Sequence, residues 1–212
     1  MKIRVKVFIG LVLLVLVTGS YIAYQFMGSG TPETTVRSSK PKMQPKNTSA
    51  HSYNDVNFAQ QMIVQGQQGI LISEAAYRSA ANQEVRNIAL KNMQQQKSDV
   101  NAYIALLEKW KESYLNLADY PEIEGHDLYP TFPGMADLTE LKNIQTNTGE
   151  VVDKLYLTLA IGHAEGVLEM ADTVGVGSEN TAINKIKNAA VGRQKSTIQE
   201  LRRLEHNIFN KQ

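Results

Sequence analysis

Apolar positions in this chain recur at steps of three and four over two long stretches, as they do in helices with one buried face. Phe58, Met62, Gln65, Gly69, Ile72 and Ala76 form one stripe, and Val85, Ile88, Asn92, Gln96, Val100, Tyr103 and Leu107 a second. Tyr156, Leu159, His163, Gly166 and Met170 form a third, and Ile183, Ile186, Ala190, Gln194, Ile198, Leu201 and Leu204 a fourth. No run of period two competes, so no sheet is expected. Proline supports the same reading, because it removes a helix donor and clashes with the preceding turn. Pro32, Pro41 and Pro45 precede the first stripe, and Pro121, Pro130 and Pro133 fall between the second and third. Helices are therefore predicted over about 54–80, 83–115, 149–174 and 180–209. Gly175 and Gly177 suit a helix stop and Ser178 a helix cap. Short links join the first pair and the second pair, which makes antiparallel neighbours, and 116–148 is a long crossover. The expected fold is all-α: a four-helix bundle of two helical hairpins.

The first residues follow another pattern. Lys2, Arg4 and Lys6 precede an apolar run over residues 7–27, which is 21 residues long. About 20 apolar residues cross the hydrocarbon core of a bilayer. Tyr21, Tyr24 and Phe26 sit at the far end, where aromatic belts lie, and the basic flank keeps the N-terminus in the cytoplasm. The reading is an uncleaved transmembrane anchor over 1–27, single-pass, with the rest on the periplasmic or extracellular side. A cleaved signal peptide ending near Val17-x-Gly19 is the alternative, and it exports the same chain. Residues 28–52, rich in Ser, Thr, Pro and Lys, cannot bury a core and read as a disordered linker. The domain proper is then 53–212.

Composition narrows the chemistry. Cysteine is absent, which removes disulfides, thiolate metal sites and a Cys nucleophile, and there are only four His. The net charge of +1 is uneven: residues 53–212 hold 15 basic and 20 acidic groups. An acidic domain does not neutralise phosphates, so no nucleic-acid partner is expected. No Glu-x-x-His of a di-iron carboxylate bundle, no Gly-x-Ser-x-Gly elbow and no phosphate-cradling glycine loop occurs. The chain reads as a non-enzyme, with a ferritin-like oxidase a distant third choice.

A shift of 98 residues lays the first hairpin on the second without a gap: Ile63 meets Ile161, Gln65 meets His163, Gln67 meets Glu165, Gln96 meets Gln194 and Val100 meets Ile198. The run Asp55-Val56-Asn57-Phe58-Ala59-Gln60-Gln61-Met62-Ile63-Val64-Gln65-Gly66-Gln67-Gln68 resembles the opening motif of the bacterial domain of unknown function 305 family. That motif has an Asp, a Phe and then Met-Ile-x-His-His-Gln. Gly134-Met135 before Leu138-Thr139-Glu140-Leu141 resembles the family's Pro-Gly-Met crossover. Ile161-Gly162-His163-Ala164-Glu165-Gly166-Val167-Leu168-Glu169-Met170-Ala171 resembles its Met-Ile-x-His-His-Gln-Gly-Ala-x-Glu-Met-Ala. Gln96-x-x-Asp99-Val100 and Gln194-x-x-Thr197-Ile198 resemble its Gln-x-x-Glu-Ile motif. The resemblance covers about 54–205. It implies a ferritin-like bundle, usually exported, with members linked to copper or other metals.

The departures from that pattern bear on function. Gln65-Gly66 stands where the first His pair would be, and His163-Ala164 keeps one member of the second. The remaining donors are His163, Glu165, Glu169, Met62 and Met170. Glu165 is two residues from His163, so the two cannot point inward along one helix. The expectation is a degenerate metal site and no bound cofactor, with copper held by His163 and Met or Glu donors as the alternative. In its place the resemblance suggests a polar core layer of Gln65, Gln96, His163 and Gln194, since a fully paired amide layer fixes register without a buried charge. The role expected is binding or scaffolding, with a membrane contact through the N-terminal helix and an envelope protein partner whose identity the sequence does not give.

Overall fold

The computed structural model describes residues 51–119, 131–173, 175, 177, 178 and 180–209. The expected anchor, and the linker apart from His51 and Ser52, lie outside the described residues, as do Pro121 and Pro130 of the crossover. Among the described residues, no helix is long and apolar enough to cross a membrane. Helices are α1 (Tyr53–Ser79), α2 (Gln83–Trp110), α3 (Leu138–Thr146), α4 (Glu150–Thr173) and α5 (Thr181–Phe209), with a 3-10 turn at Leu117–Asp119.

Local chemistry sets the helix ends. The Asp55 amide donates to Ser52 Oγ at 3.2 Å, and the Ser52 amide donates to Asp55 Oδ2 at 2.8 Å. This capping box satisfies two amides that the first turn of α1 leaves free, and such a cap contributes about 1 kcal/mol. Asn82 caps α2 through bonds from the Glu84 and Val85 amides at 2.8 and 3.4 Å. α2 stops at Trp110, short of the expected 115, because Lys111 takes a left-handed conformation (φ 60°) and the Glu112 amide turns back to the Leu107 carbonyl at 2.9 Å. α4 stops as expected at the glycines: the Gly175 amide donates to the Met170 carbonyl at 3.1 Å. The cap of α5 is Asn180, not Ser178. Asn180 Oδ1 accepts from the Ala182 amide at 2.9 Å, and Ser178 Oγ accepts from the Asn180 amide at 3.2 Å. The periodicity did not predict α3. Asp137 and Glu140 box its first turn, each accepting the other's amide at 2.7 and 2.9 Å.

The four long helices pack as a ring in which α1 touches α2 and α4, and α5 touches α2 and α4. Every neighbouring pair is antiparallel. Along α4–α5, Lys154 lies over the Phe209 ring, Glu165 pairs with Arg202 and Lys187 Nζ donates to the Gly175 carbonyl. Along α2–α5, Lys91 pairs with Glu200, and Asp99 with Arg193.

Two apolar clusters fill the ring. One, at the α1 N-terminal end, gathers Phe58, Ile63, Tyr103, Leu107, Val167 and Met170. The other, at the opposite end, gathers Ile72, Val85, Ile144, Tyr156, Leu157 and Leu201. Each such side chain contributes about 1.5–3 kcal/mol when fully buried. At that second end Asn92 Nδ2 donates to Tyr156 Oη at 2.8 Å, so the phenol and the amide satisfy each other.

Positions 98 apart play matching parts. Asn82 and Asn180 are both caps. Asp55 and Asp153, 3% and 2% exposed, are both buried in the first turn of a hairpin. Each reaches the link of the other hairpin: Asp153 accepts from the Asn82 amide at 3.1 Å, and Asp55 lies beside Ser178. These two carboxylates cross-tie the hairpins at opposite ends of the ring.

Candidate functional site

Between the two apolar clusters lies a layer of polar side chains. Gln65 and Gln68 are fully buried, and His163 and Gln194 are 2% and 7% exposed. Gln96 is half-buried, but its Oε1 is enclosed. Gln65 and Gln68 sit on α1, Gln96 on α2, His163 on α4 and Gln194 on α5, so each of the four long helices contributes to the layer.

His163 Nε2 donates to the Gln65 carbonyl oxygen at 2.8 Å. A carbonyl only accepts, so Nε2 carries the proton in the neutral ring. The Gln65 side-chain amide donates to the Pro133 carbonyl at 3.0 Å and reaches toward the His163 carbonyl at 3.5 Å. The two residues that the 98-residue shift aligns thus face each other, each side chain directed at the other's main chain. Sequence reasoning expected a side-chain amide as the partner of His163. The crossover explains the difference, because Pro133 draws the Gln65 amide away from the ring.

Gly69 makes room for this arrangement. A Cβ there would lie 2.6 Å from His163 Cε1 and would strike the Gln96 amide, so ring and amide rest on a bare Cα. Gly166 does the same for the crossover, since a Cβ would lie 2.7 Å from Gly134 Cα and would overlap the Pro133 carbonyl. Gln68 clamps the strap further along: its Nε2 donates to the Ala136 carbonyl at 2.8 Å, and its Oε1 accepts from the Ala136 amide at 2.7 Å. The stretch 133–136 of the crossover is therefore laid over the layer on main-chain contacts, held by Gln65 and Gln68.

Burial pushes the His163 pKa below the ordinary imidazole value, and the bond to the Gln65 carbonyl only partly opposes this. The ring is neutral at neutral pH. Gln65 Oε1 and Gln96 Oε1 are buried with no hydrogen-bond partner. The layer is therefore rich in acceptors.

The other predicted donors stand elsewhere. Glu165 is exposed and pairs with Arg202 at 2.5 Å, and Glu169 is exposed on the same helix. Met62 and Met170 are buried among Phe58, Ile63 and Tyr103 in the apolar cluster. The structure brings Gln65, Gln96 and His163 together and does not bring Glu165, Glu169, Met62 or Met170 to the ring. Among the described residues, no group of three or more His, Asp or Glu could hold a metal ion. Neutral amide oxygens suit hard cations better than copper, which favours imidazole and sulfur, so the residues around His163 do not fit that metal.

Sequence reasoning missed Gln68, Asn92 and the Asp55–Asp153 pair. The acids carried a usable signal, since each opens a hairpin at the same 98-residue offset and lies in line with a buried stripe.

Comparison with known proteins agrees with this architecture. The family model described as Domain of unknown function (DUF305) matches residues 55–205. No curated protein matches the chain. Among solved structures, a DUF305 fragment from Deinococcus radiodurans is similar at 18% identity and TM-score 0.64, over 74% of this chain and 99% of that one. A DUF305 protein from Streptomyces coelicolor is similar at 24% identity and TM-score 0.59, over 71% of this chain and 91% of that one. CopM in its Cu(I)-bound form is similar at 17% identity and TM-score 0.57, over 74% of this chain and 99% of that one. At these identities the likeness is one of fold. The match of the family model over most of the chain shows that the chain belongs to the DUF305 family.

Proposed function

We propose that this chain is a membrane-tethered, extracytoplasmic DUF305 protein with a non-enzymatic binding or scaffold role, whose mid-bundle layer is a structural polar core and no longer a metal centre. The observation that carries the reading is the 2.8 Å bond from His163 Nε2 to the Gln65 carbonyl, made by a buried neutral ring. Three further points support it. Gln65 and Gly66 stand where the family has histidines. The remaining sulfur and carboxylate donors are distributed between an apolar cluster and the outer surface. The basic flank and apolar run at 2–27 supply the export signal.

A second reading keeps copper as a ligand of His163. It is favoured by the fold likeness to CopM, which has been solved with Cu(I) and Cu(II) bound, and by the lone pair that the Nε2-protonated ring leaves on Nδ1. Melting curves of wild type and His163→Gln, each with and without copper, separate the two. The proposed role predicts no copper response in either protein and a cost of about 1 kcal/mol for the substitution. Stabilisation of wild type alone by stoichiometric copper would establish the second reading.

A further inference from the structure

The seam between α4 and α5 carries two stripes of opposite charge on its outer side. Glu165, Glu169 and Asp172 follow one another at four- and three-residue steps along α4, so they share a face. Lys195 and Arg202 are two turns apart on α5, with Gln199 between them and Gly192 one step beyond. All seven are exposed. Among the described residues, Glu165–Arg202 is the one ion pair across this seam. Asp172 and Lys195 both fall between that pair and the contact of Lys187 with Gly175, yet they make no ion pair. Most of the charge along this seam therefore faces outward.

From this arrangement we infer that the α4–α5 face binds a second copy of the same chain in a symmetric dimer. An occupant of this face must present a basic stripe to α4 and an acidic stripe to α5, side by side. A second copy does so when the twofold axis runs parallel to the helices, because each α4 then faces the partner's α5, and the reverse contact follows by symmetry. An axis perpendicular to the helices would set α4 against α4 and acid against acid. The parallel axis also leaves both copies of α1 starting at the same end, so two chains tethered through the anchor proposed above enter one membrane. An anionic surface or an acidic partner would satisfy α5 and be repelled by α4. The small residues Gly192 and Ser196, both exposed, allow close approach along α5.

The test uses the full chain and two charge-reversed versions of it. Lys195→Glu with Arg202→Glu makes the face wholly acidic, and Glu169→Lys with Asp172→Lys makes it more basic. Sedimentation in low salt should give wild type at twice the 23.6 kDa chain mass, with return to one chain mass as salt screens the face. Each reversed chain alone should sediment as one chain, and an equimolar mixture should regain the doubled mass, because only the mixed pair restores opposite charges on both halves. Circular dichroism shows that each variant is folded. A wild type of one chain mass at low salt would overturn the inference, as would reversed chains that remain dimeric or a mixture that stays monomeric.

Discussion

His163 is neutral in the folded chain and titrates freely once unfolded, and that difference makes the layer sensitive to acid. The unfolded chain takes up the proton near the ordinary imidazole value of about 6.5. The folded chain resists it, because burial holds the pKa down. Unfolding therefore binds protons, and the contribution of His163 is fully present above that pH and is lost as pH falls below it. Wild type should lose melting temperature below about pH 6.5 more steeply than His163→Gln, whose amide does not titrate. Parallel curves for the two proteins would mean that the ring is accessible to water. That this position is polar and buried was legible in the sequence, because His163, Gln65, Gln96 and Gln194 all fall on otherwise apolar stripes. Its bonding was not legible. Which atom meets the imidazole depends on where Pro133 places the Gln65 amide, a contact made across 68 residues of chain.

At the scale of elements, the crossover was the part the pattern read least well. The long helices announce themselves through repeated periodicity, and their absence of proline agrees. α3 has nine residues, too few turns for a stripe to show, and its one sequence mark is the Asp137–Glu140 capping box. The strap ahead of it is fixed by main-chain packing on α4, and Gly166 makes that packing feasible. Gly166→Ala should cost about 1–3 kcal/mol, the usual range for overpacking, because its Cβ meets the fixed main chain of Pro133 and Gly134. Gly69→Ala should cost less than Gly166→Ala, since its Cβ meets two side chains, the Gln96 amide and the His163 ring, and no main chain. Urea midpoints of the two variants give the order, and the reverse order would mean that the strap yields more easily than the layer. Gln68→Ala removes both bonds to Ala136 and should expose the strap to protease while leaving helix content unchanged.

The described helices form two hairpins with a buried carboxylate tie at each end and the polar layer midway. Asp55→Ala and Asp153→Ala should each destabilise by about 1–3 kcal/mol, because the first leaves the Ser52 donors of the α1 cap unpaired and the second the Asn82 amide of the opposite hairpin. The two ties lie at opposite ends and share no partner, so the double variant should show nearly the sum. A double variant much weaker than that sum would mean that the hairpins separate once either tie is cut. The tie at the α1 end has a neighbour with its own use. His51 stacks on Trp110 with ring centroids 4.5 Å apart, and its Nε2 lies 2.9 Å from Glu112 Oε1. Trp110 is the only tryptophan in the chain. Its emission therefore reports on one corner, where residues 1–50 join the helices, and is nearly blind to the far end. Under the proposed tethering, a pull on residues 1–50 would reach this stack before the cap at Ser52, and tryptophan emission would then serve as a strain gauge for the load that the proposed anchor passes to the folded domain.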